Sequence, residues 1–207
     1  QYEEVVLKNL IDDIRGRGNA VTAGDIGYRY VVQTLQDRGA SDVLFDMNSR
    51  YDVPGYGYQI AMGETALAES WQSRDYLSHN HCMLGHLYSW LFSGIGGISQ
   101  ESGSTAYKRI VIDPQIVGDL RDARVSFRSP YGLIRSEWKD APDEFVQTIE
   151  IPANATARIC LPATDPAKVT ESGKPVSGRK DMAVESGTDG RIELHVGSGI
   201  YRIAVEK

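Results

Sequence analysis

The sequence lacks several features that mark common functional classes. Lys and Arg number 22 against 28 Asp and Glu, and this net charge of −6 leaves no basic excess to bind a polyanion. No apolar run reaches the roughly 20 residues that a membrane helix needs. The longest uncharged stretch, 82–100, is interrupted by glycines. We therefore expect neither a nucleic-acid partner nor a membrane anchor.

Cysteine is scarce, and no metal-binding pattern accompanies it. Cys82 and Cys160 are the two cysteines of the chain and fall on different sides of the domain boundary predicted below, so we expect free thiols. His79 and His81 lie two residues apart. A zinc site needs further ligands at suitable spacing, and Cys82 is adjacent to His81 rather than converging on it. The sequence therefore predicts no metal and no other cofactor.

The chain also lacks an initiator methionine and a signal peptide. It begins at Gln1, which predicts a processed product or a piece of a longer protein. Its start therefore says nothing about export, and secreted, periplasmic and cytoplasmic locations all stay open.

Helical periodicity dominates residues 1–98. Apolar side chains spaced three and four apart mark the segments that we expect to be helical. The predicted helices cover 2–15, 25–38, 40–50, 65–72 and 81–92. In the second helix the expected inward face includes Ile26, Tyr30 and Leu35. A Pro- and Gly-rich loop carrying Tyr56 and Tyr58 follows the third, and short turns throughout suit antiparallel hairpins.

Residues 99–207 change from helical spacing to the alternation of β-strands. Turn residues separate seven such segments, and a polar stretch over 165–189 holds Val169 and Val184 as strand remnants. The predicted strands are 109–113, 123–127, 133–138, 145–149, 157–161, 192–196 and 201–205. This spacing predicts an antiparallel β-sandwich. The expected fold class is therefore α+β and multidomain, with helical hairpins first and the sandwich second.

Glu69 is the candidate for chemistry in the helical half. A glutamate in a helix is usually a solvated surface group. Here Trp71 is close in sequence, and Asn80 and His81 follow after a short loop. Carbohydrate pockets combine aromatic faces with polar side chains that donate and accept hydrogen bonds. The pattern therefore favours a sugar site around Glu69.

The residues around Glu69 are candidates for substrate binding, each with a structural alternative. His81 contacts sugar hydroxyls or orients Glu69, unless it is a satisfied core or capping group. Asn80 is a ligand contact or a helix N-cap. Tyr56 and Tyr58 form a pocket wall or cover a hairpin end, and Trp71 is expected to support the site more than to stack on a sugar.

The same stretch resembles the second active-site block of the inverting α-L-rhamnosidases, a family of (α/α)6-barrel glycoside hydrolases. The matching residues are Gly63, Thr65, Glu69, Trp71, Asn80, His81 and Gly85. Further similarities in the same order are 17–19, 56–58 and 129–138, the last resembling a hairpin of the family's C-terminal β-domain. Glu64, Ala66 and Ala68 depart from the common pattern.

The resemblance implies inverting hydrolysis of terminal α-L-rhamnosides, with Glu69 as the general base. Residues 1–98 would be the later helices of the barrel, and 99–207 the C-terminal β-sandwich. The general acid belongs to an earlier block that no segment here matches. The implied partners are a rhamnose-containing glycan or glycoside and the missing N-terminal half of the barrel. These 207 residues alone are expected to be inactive.

Two other functions stay open. The chain could be a non-catalytic carbohydrate-binding or structural module, in which case replacing Glu69 would change no rate. It could also be part of an α/α-barrel hydrolase of another sugar, because fold and base position do not fix the substrate.

Overall fold

The computed structural model describes residues 2–207, which form two compact units: the residues up to Leu91, and Phe92–Lys207. The first unit holds helices and the second holds β-sheets, which confirms the predicted α+β class. The division between these compact units falls after Leu91. Phe92 packs on Phe127 with ring centroids 5.5 Å apart, and Gly97 O accepts a hydrogen bond from Asp113 N at 2.9 Å.

Three regular helices begin the first unit. They are α1 (Tyr2–Gly16), α2 (Asp25–Asp37) and α3 (Ser41–Ser49). All three match the predicted ranges closely, and glycines stop the helical pattern after α1 and α2. Gly18 follows α1 with φ of +68°, and Gly39 follows α2 with φ of +70°. Left-handed backbone of this kind is the usual end of a helix.

The buried face of α2 differs from the predicted one. Tyr28, Val32 and Leu35 are buried, whereas Ile26 and Tyr30 are 74% and 62% exposed. Tyr28 is buried because its hydroxyl has a partner inside the unit, donating to Asn48 Oδ1 at 3.0 Å. The predicted inward face was therefore right only for Leu35.

The expected loop around Tyr56 and Tyr58 is instead a short helix, α4 (Tyr56–Ala61). Gly57 permits this helix to lie close to the preceding chain, since a Cβ there would stand 2.2 Å from Arg50 O. The proline and glycines before α4 predicted the break correctly, but not that the chain resumes a helix at once.

The predicted helix over 65–72 is wrong, because this segment is irregular. Its backbone groups bond elsewhere: Glu69 N donates to Ser78 O at 2.8 Å, and Ala68 N and O both bond to the Gln59 side chain. A helix would need these same groups for its internal hydrogen bonds. The favourable helix propensity of the segment is thus overridden by long-range contacts.

The predicted helix over 81–92 is also interrupted. It consists of a 3₁₀ turn (Cys82–Leu84), helix α5 (Leu87–Trp90) and a π-helical turn (Leu91–Ile95). The hydroxyl of Tyr56 donates to Leu84 O, which removes a carbonyl that a continuous helix would use. The chain therefore turns before α5 begins.

Two β-sheets form the sandwich of the second unit, and all seven predicted strands are present. One sheet has five strands in the order β1-β2-β6-β10-β9, and the other has six in the order β3-β4-β5-β11-β7-β8. Their bounds are β1 Ile98–Gln100, β2 Arg109–Ile112, β3 Asp122–Ser129, β4 Gly132–Asp140, β5 Glu144–Ile151, β6 Thr156–Cys160, β7 Val169–Glu171, β8 Lys174–Pro175, β9 Ala183–Ser186, β10 Ile192–Val196 and β11 Gly199–Glu206.

The sandwich is mixed rather than wholly antiparallel. Strands β2 and β6 pair in parallel, with Ile110 opposite Ala157 and Ile112 opposite Ile159. Parallel neighbours need a long crossover, and β3, β4 and β5 of the other sheet supply it. Inward side chains such as Ile134 and Phe145 fill the space between the sheets and are almost wholly buried.

Both cysteines are free thiols, Cys82 exposed and Cys160 buried. Among residues 2–207, no helix is long and apolar enough to cross a membrane.

Candidate functional site

Glu69 lies in the irregular segment between α4 and the 3₁₀ turn, on one of two chain stretches that run side by side. Its backbone N donates to Ser78 O at 2.8 Å, and its carboxylate Oε2 accepts from Ser78 N at 3.1 Å. Farther along, His81 N donates to Leu67 O at 2.6 Å. These bonds hold the Glu69 stretch against the stretch that carries Asn80 and His81.

Glu69 is exposed while the residues on both sides of it are buried. Ala68 is 1% exposed and Ser70 is 8% exposed. The Glu69 side chain therefore lies on the outer side of this segment, between two buried neighbours. The arrangement suits a carboxylate that must meet a ligand or a water molecule.

Gln59 bonds to the backbone of the residues before and after Glu69. The sequence patterns did not single out this residue. Its side chain on α4 is buried, and its Nε2 donates to Ala68 O and Ser70 O, both at 3.2 Å. Its Oε1 accepts from Ala68 N at 3.2 Å. One buried amide thus satisfies three backbone groups next to Glu69. The only signal in the sequence is a polar residue in a short, otherwise apolar stretch.

Trp71 is part of an aromatic cluster inside the helical unit. Its ring is 5% exposed, its Nε1 donates to Ala23 O at 2.7 Å, and its centroid is 4.9 Å from that of Tyr28. The Tyr56 ring lies 5.4 Å away on another side. A ring with these neighbours supports the expected structural role. A substrate contact by Trp71 stays a prediction.

The two tyrosines of the predicted pocket wall sit on α4. Tyr56 is half-buried, its hydroxyl donates to Leu84 O, and burial raises the pKa of this hydroxyl to about 12. It is therefore neutral at physiological pH and bonded within the protein. Tyr58 is also half-buried. Contact of either tyrosine with a substrate stays a prediction.

His81 and Asn80 stand on the stretch that faces Glu69. His81 is half-buried, and its Nε2 is 3.7 Å from Asp25 Oδ2, a carboxylate on α2. Asn80 is exposed, and its backbone N donates to Ser78 Oγ at 3.2 Å. His81, not Asn80, immediately precedes the 3₁₀ turn, and it makes no side-chain cap there. Contact of either residue with a sugar stays a prediction.

Glu64 and His79 form a second carboxylate–imidazole pair at the edge of the same region. The distance from His79 Nδ1 to Glu64 Oε2 is 2.8 Å, and this hydrogen bond raises the pKa of His79. His79 and His81 thus have different carboxylate partners. Among residues 2–207, no group of three or more His, Cys, Asp or Glu side chains is placed to hold a metal ion.

Comparison with known proteins links both units to one kind of enzyme. Residues 1–95 match the bacterial alpha-L-rhamnosidase 6 hairpin glycosidase domain, and residues 97–175 match the bacterial alpha-L-rhamnosidase C-terminal domain. The chain is 29% identical over 206 residues to an alpha-L-rhamnosidase of Streptomyces avermitilis, covering 95% of this chain and 19% of that protein. An alpha-L-rhamnosidase of Formosa agariphila is 24% identical over 212 residues, covering 100% of this chain and 22% of that protein.

Solved structures give the same result. The Streptomyces avermitilis alpha-L-rhamnosidase complexed with L-rhamnose is similar with a TM-score of 0.82 and 28% identity, over 93% of this chain and 19% of that chain. The alpha-L-rhamnosidase of Dictyoglumus thermophilum is similar with a TM-score of 0.85 and 28% identity, over 97% of this chain and 23% of that chain. The present chain spans about a fifth of the length of these relatives.

Proposed function

The chain belongs to the bacterial α-L-rhamnosidase family, and on this premise we propose that it carries the general base, Glu69, of an inverting α-L-rhamnosidase. The observation that carries the proposal is the outward carboxylate of Glu69 between two buried neighbours. The relatives supply the substrate class, since one of them is described in complex with L-rhamnose.

In the proposed reaction, the Glu69 carboxylate takes a proton from a water molecule as that water attacks the anomeric carbon. Inversion needs a second carboxyl group about 6.5–9.5 Å away, which protonates the departing glycosidic oxygen. We propose that this general acid comes from a part of the protein outside these residues. The bond from Ser78 N to Glu69 Oε2 limits rotation of the carboxylate, so the proton-accepting oxygen keeps one direction.

The neighbouring residues have proposed roles that follow from their positions. His81 and Asn80 would donate to or accept from sugar hydroxyls, since they lie on the stretch bonded to the Glu69 segment. Tyr58 would form part of the pocket wall. Tyr56 and Trp71 would support the site from within, because their polar atoms already bond to Leu84 O and Ala23 O.

The test is Glu69→Gln in the protein expressed from its complete coding sequence. With an aryl α-L-rhamnoside as substrate, we expect kcat to fall about 10²–10⁴-fold, which is the usual contribution of a general base. The acidic limb of the pH dependence of kcat/KM should disappear with it. Proton NMR of the first product formed by the parent protein should show the anomer opposite to that of the substrate.

Glu64→Gln is the matched control, because it makes the same change five residues earlier in a carboxylate that bonds to His79. We expect its kcat to stay within about threefold of the parent value. An unchanged rate and pH profile in Glu69→Gln would refute the assignment and favour a non-catalytic module. Faster hydrolysis of a different glycoside by the parent protein would instead point to another sugar.

A further inference from the structure

Gln59 combines burial and polarity in a way that a packing role does not require. The side chain is 3% exposed and extends from α4 to the irregular segment nine and eleven residues later in sequence. Burying an amide is unfavourable unless its donors and acceptor are bonded. Here both functions of the amide are used on backbone groups, at Ala68 and Ser70.

The two carbonyl groups that Gln59 binds belong to the residues immediately before and after Glu69. The peptide unit between Ala68 and Glu69 and the one between Ser70 and Trp71 are therefore attached to the same amide, while Glu69 N is bonded to Ser78 O. With its backbone held at these points and its Oε2 bonded to Ser78 N, the Glu69 side chain keeps few rotamers. A carboxylate fixed in this way remains directed at one place.

Only a carboxamide of this length can make this set of bonds. Two N–H groups donate to two carbonyls while the oxygen accepts from Ala68 N. A carboxylate would place oxygen against both carbonyls, and a methionine would fill the same space with no donor or acceptor. The amide at position 59 therefore matches the backbone groups of the Glu69 segment. A position that only fills the hydrophobic core would not need an amide.

We infer that Gln59 is a positioning residue for hydrolysis, acting through the backbone on either side of Glu69. This inference rests on the proposed function, in which Glu69 is the general base. Gln59 itself touches neither the substrate nor the attacking water. Replacing Gln59 slows the chemical step, because the Glu69 carboxylate must lie within hydrogen-bond reach of that water.

The test is Gln59→Met in the protein expressed from its complete coding sequence, assayed on an aryl α-L-rhamnoside. We expect kcat to fall about 10- to 100-fold while KM stays within about threefold, since a displacement of about 1 Å can cost this much in rate. Gln147→Met is the matched control. Gln147 is also fully buried, and its Nε2 donates to Ser136 Oγ at 3.2 Å within the sandwich, so its replacement should change kcat less than threefold.

A double-mutant cycle with Glu69→Gln separates positioning from a mere loss of folded protein. If Gln59 acts through Glu69, adding Gln59→Met to Glu69→Gln lowers the residual rate by less than about twofold. A loss of folded protein would lower both backgrounds equally. Equal factors in the two backgrounds, or a folded Gln59→Met with unchanged kcat, would overturn the inference.

The cycle also separates a failure of the proposed function from a failure of the positioning role of Gln59. If Glu69→Gln leaves the rate unchanged, the proposed function fails and the inference fails with it. If Glu69→Gln lowers kcat but Gln59→Met does not, only the inference fails. Should Gln59→Met not fold, Gln59→Asn takes its place in the same cycle and decides by the same criteria. This variant keeps the amide but withdraws it by one methylene.

Discussion

Replacing Trp71 by phenylalanine separates a ring that stabilises the helical unit from a ring that faces a sugar. The indole is buried, its Nε1 donates to Ala23 O at 2.7 Å, and its centroid is 4.9 Å from that of Tyr28. Phenylalanine has no N–H group and a smaller ring, so the variant loses the hydrogen bond and weakens the aromatic contact. We expect Trp71→Phe to lower the free energy of unfolding of this unit.

The expected loss follows from these two contacts. The hydrogen bond contributes about 1 kcal/mol, because Ala23 is half-buried and water compensates its carbonyl only in part. The smaller ring costs about 1 kcal/mol more in burial and in contact with Tyr28. The sum is about 2 kcal/mol. For a unit of roughly this size, that corresponds to a fall in Tm of about 10 °C.

Hydrogen exchange read by mass spectrometry gives the free energy of opening for each unit separately. Each peptide obtained by digestion belongs to either the helical unit or the β unit. Trp138→Phe is the matched control: Trp138 is 2% exposed, and its Nε1 donates to Ile95 O at 2.8 Å within the β unit. It should destabilise the sandwich and leave the protection of the helical unit within about 0.5 kcal/mol.

The opposite pattern would refute the structural role of Trp71. A Trp71→Phe protein with unchanged exchange protection but markedly weaker binding of L-rhamnose would mean that the ring faces the sugar. Loss of protection in the helical unit without a change in affinity would support the buried cluster.

Two further predictions follow from titratable groups. Glu64→Gln should lower the pKa of His79 toward its ordinary value in an NMR titration, because the Glu64 hydrogen bond raises it; an unchanged pKa would contradict the pairing. A pKa raised in the folded state stabilises the fold below the ordinary histidine pKa of about 6.5, so the pair's contribution is lost as pH rises through the folded value. Burial raises the pKa of the Cys160 thiol to about 12, so iodoacetamide at about pH 8 should alkylate Cys82 in the folded chain and Cys160 only after denaturation, as read by peptide mass spectrometry. Equal rates for the two thiols in the folded chain would contradict this.

The regular elements could be predicted from the sequence because their signals are local. Apolar spacing defines α1 to α3 within a short range of residues, and following glycines mark the ends of α1 and α2. The strands follow in the same way from alternation, even Val169 and Val184 within a polar stretch. The parallel pairing of β2 with β6 has no such signal, since alternation fixes which face a residue is on but not its neighbouring strand.

The candidate site was less predictable, because its geometry depends on contacts between distant residues. The sequence indicated Glu69 as a candidate through its motif and its aromatic and polar neighbours. Gln59 was missed because a single glutamine in a short helix gives no periodic pattern. The burial of Tyr28 was missed for a related reason, since it depends on an Asn48 partner twenty residues away.

The same hydrogen bonds that prevent a helix over 65–72 also account for the exposure of Glu69. In a helix, successive side chains are about 100° apart, so residues on both sides of an exposed glutamate are rarely buried together. Bonds to Gln59 and Ser78 hold the backbone in a non-helical conformation. In this conformation Ala68 and Ser70 are buried and Glu69 is exposed. The failure of local helix propensity in this segment is thus a physical consequence of the long-range hydrogen bonds that leave the Glu69 side chain exposed.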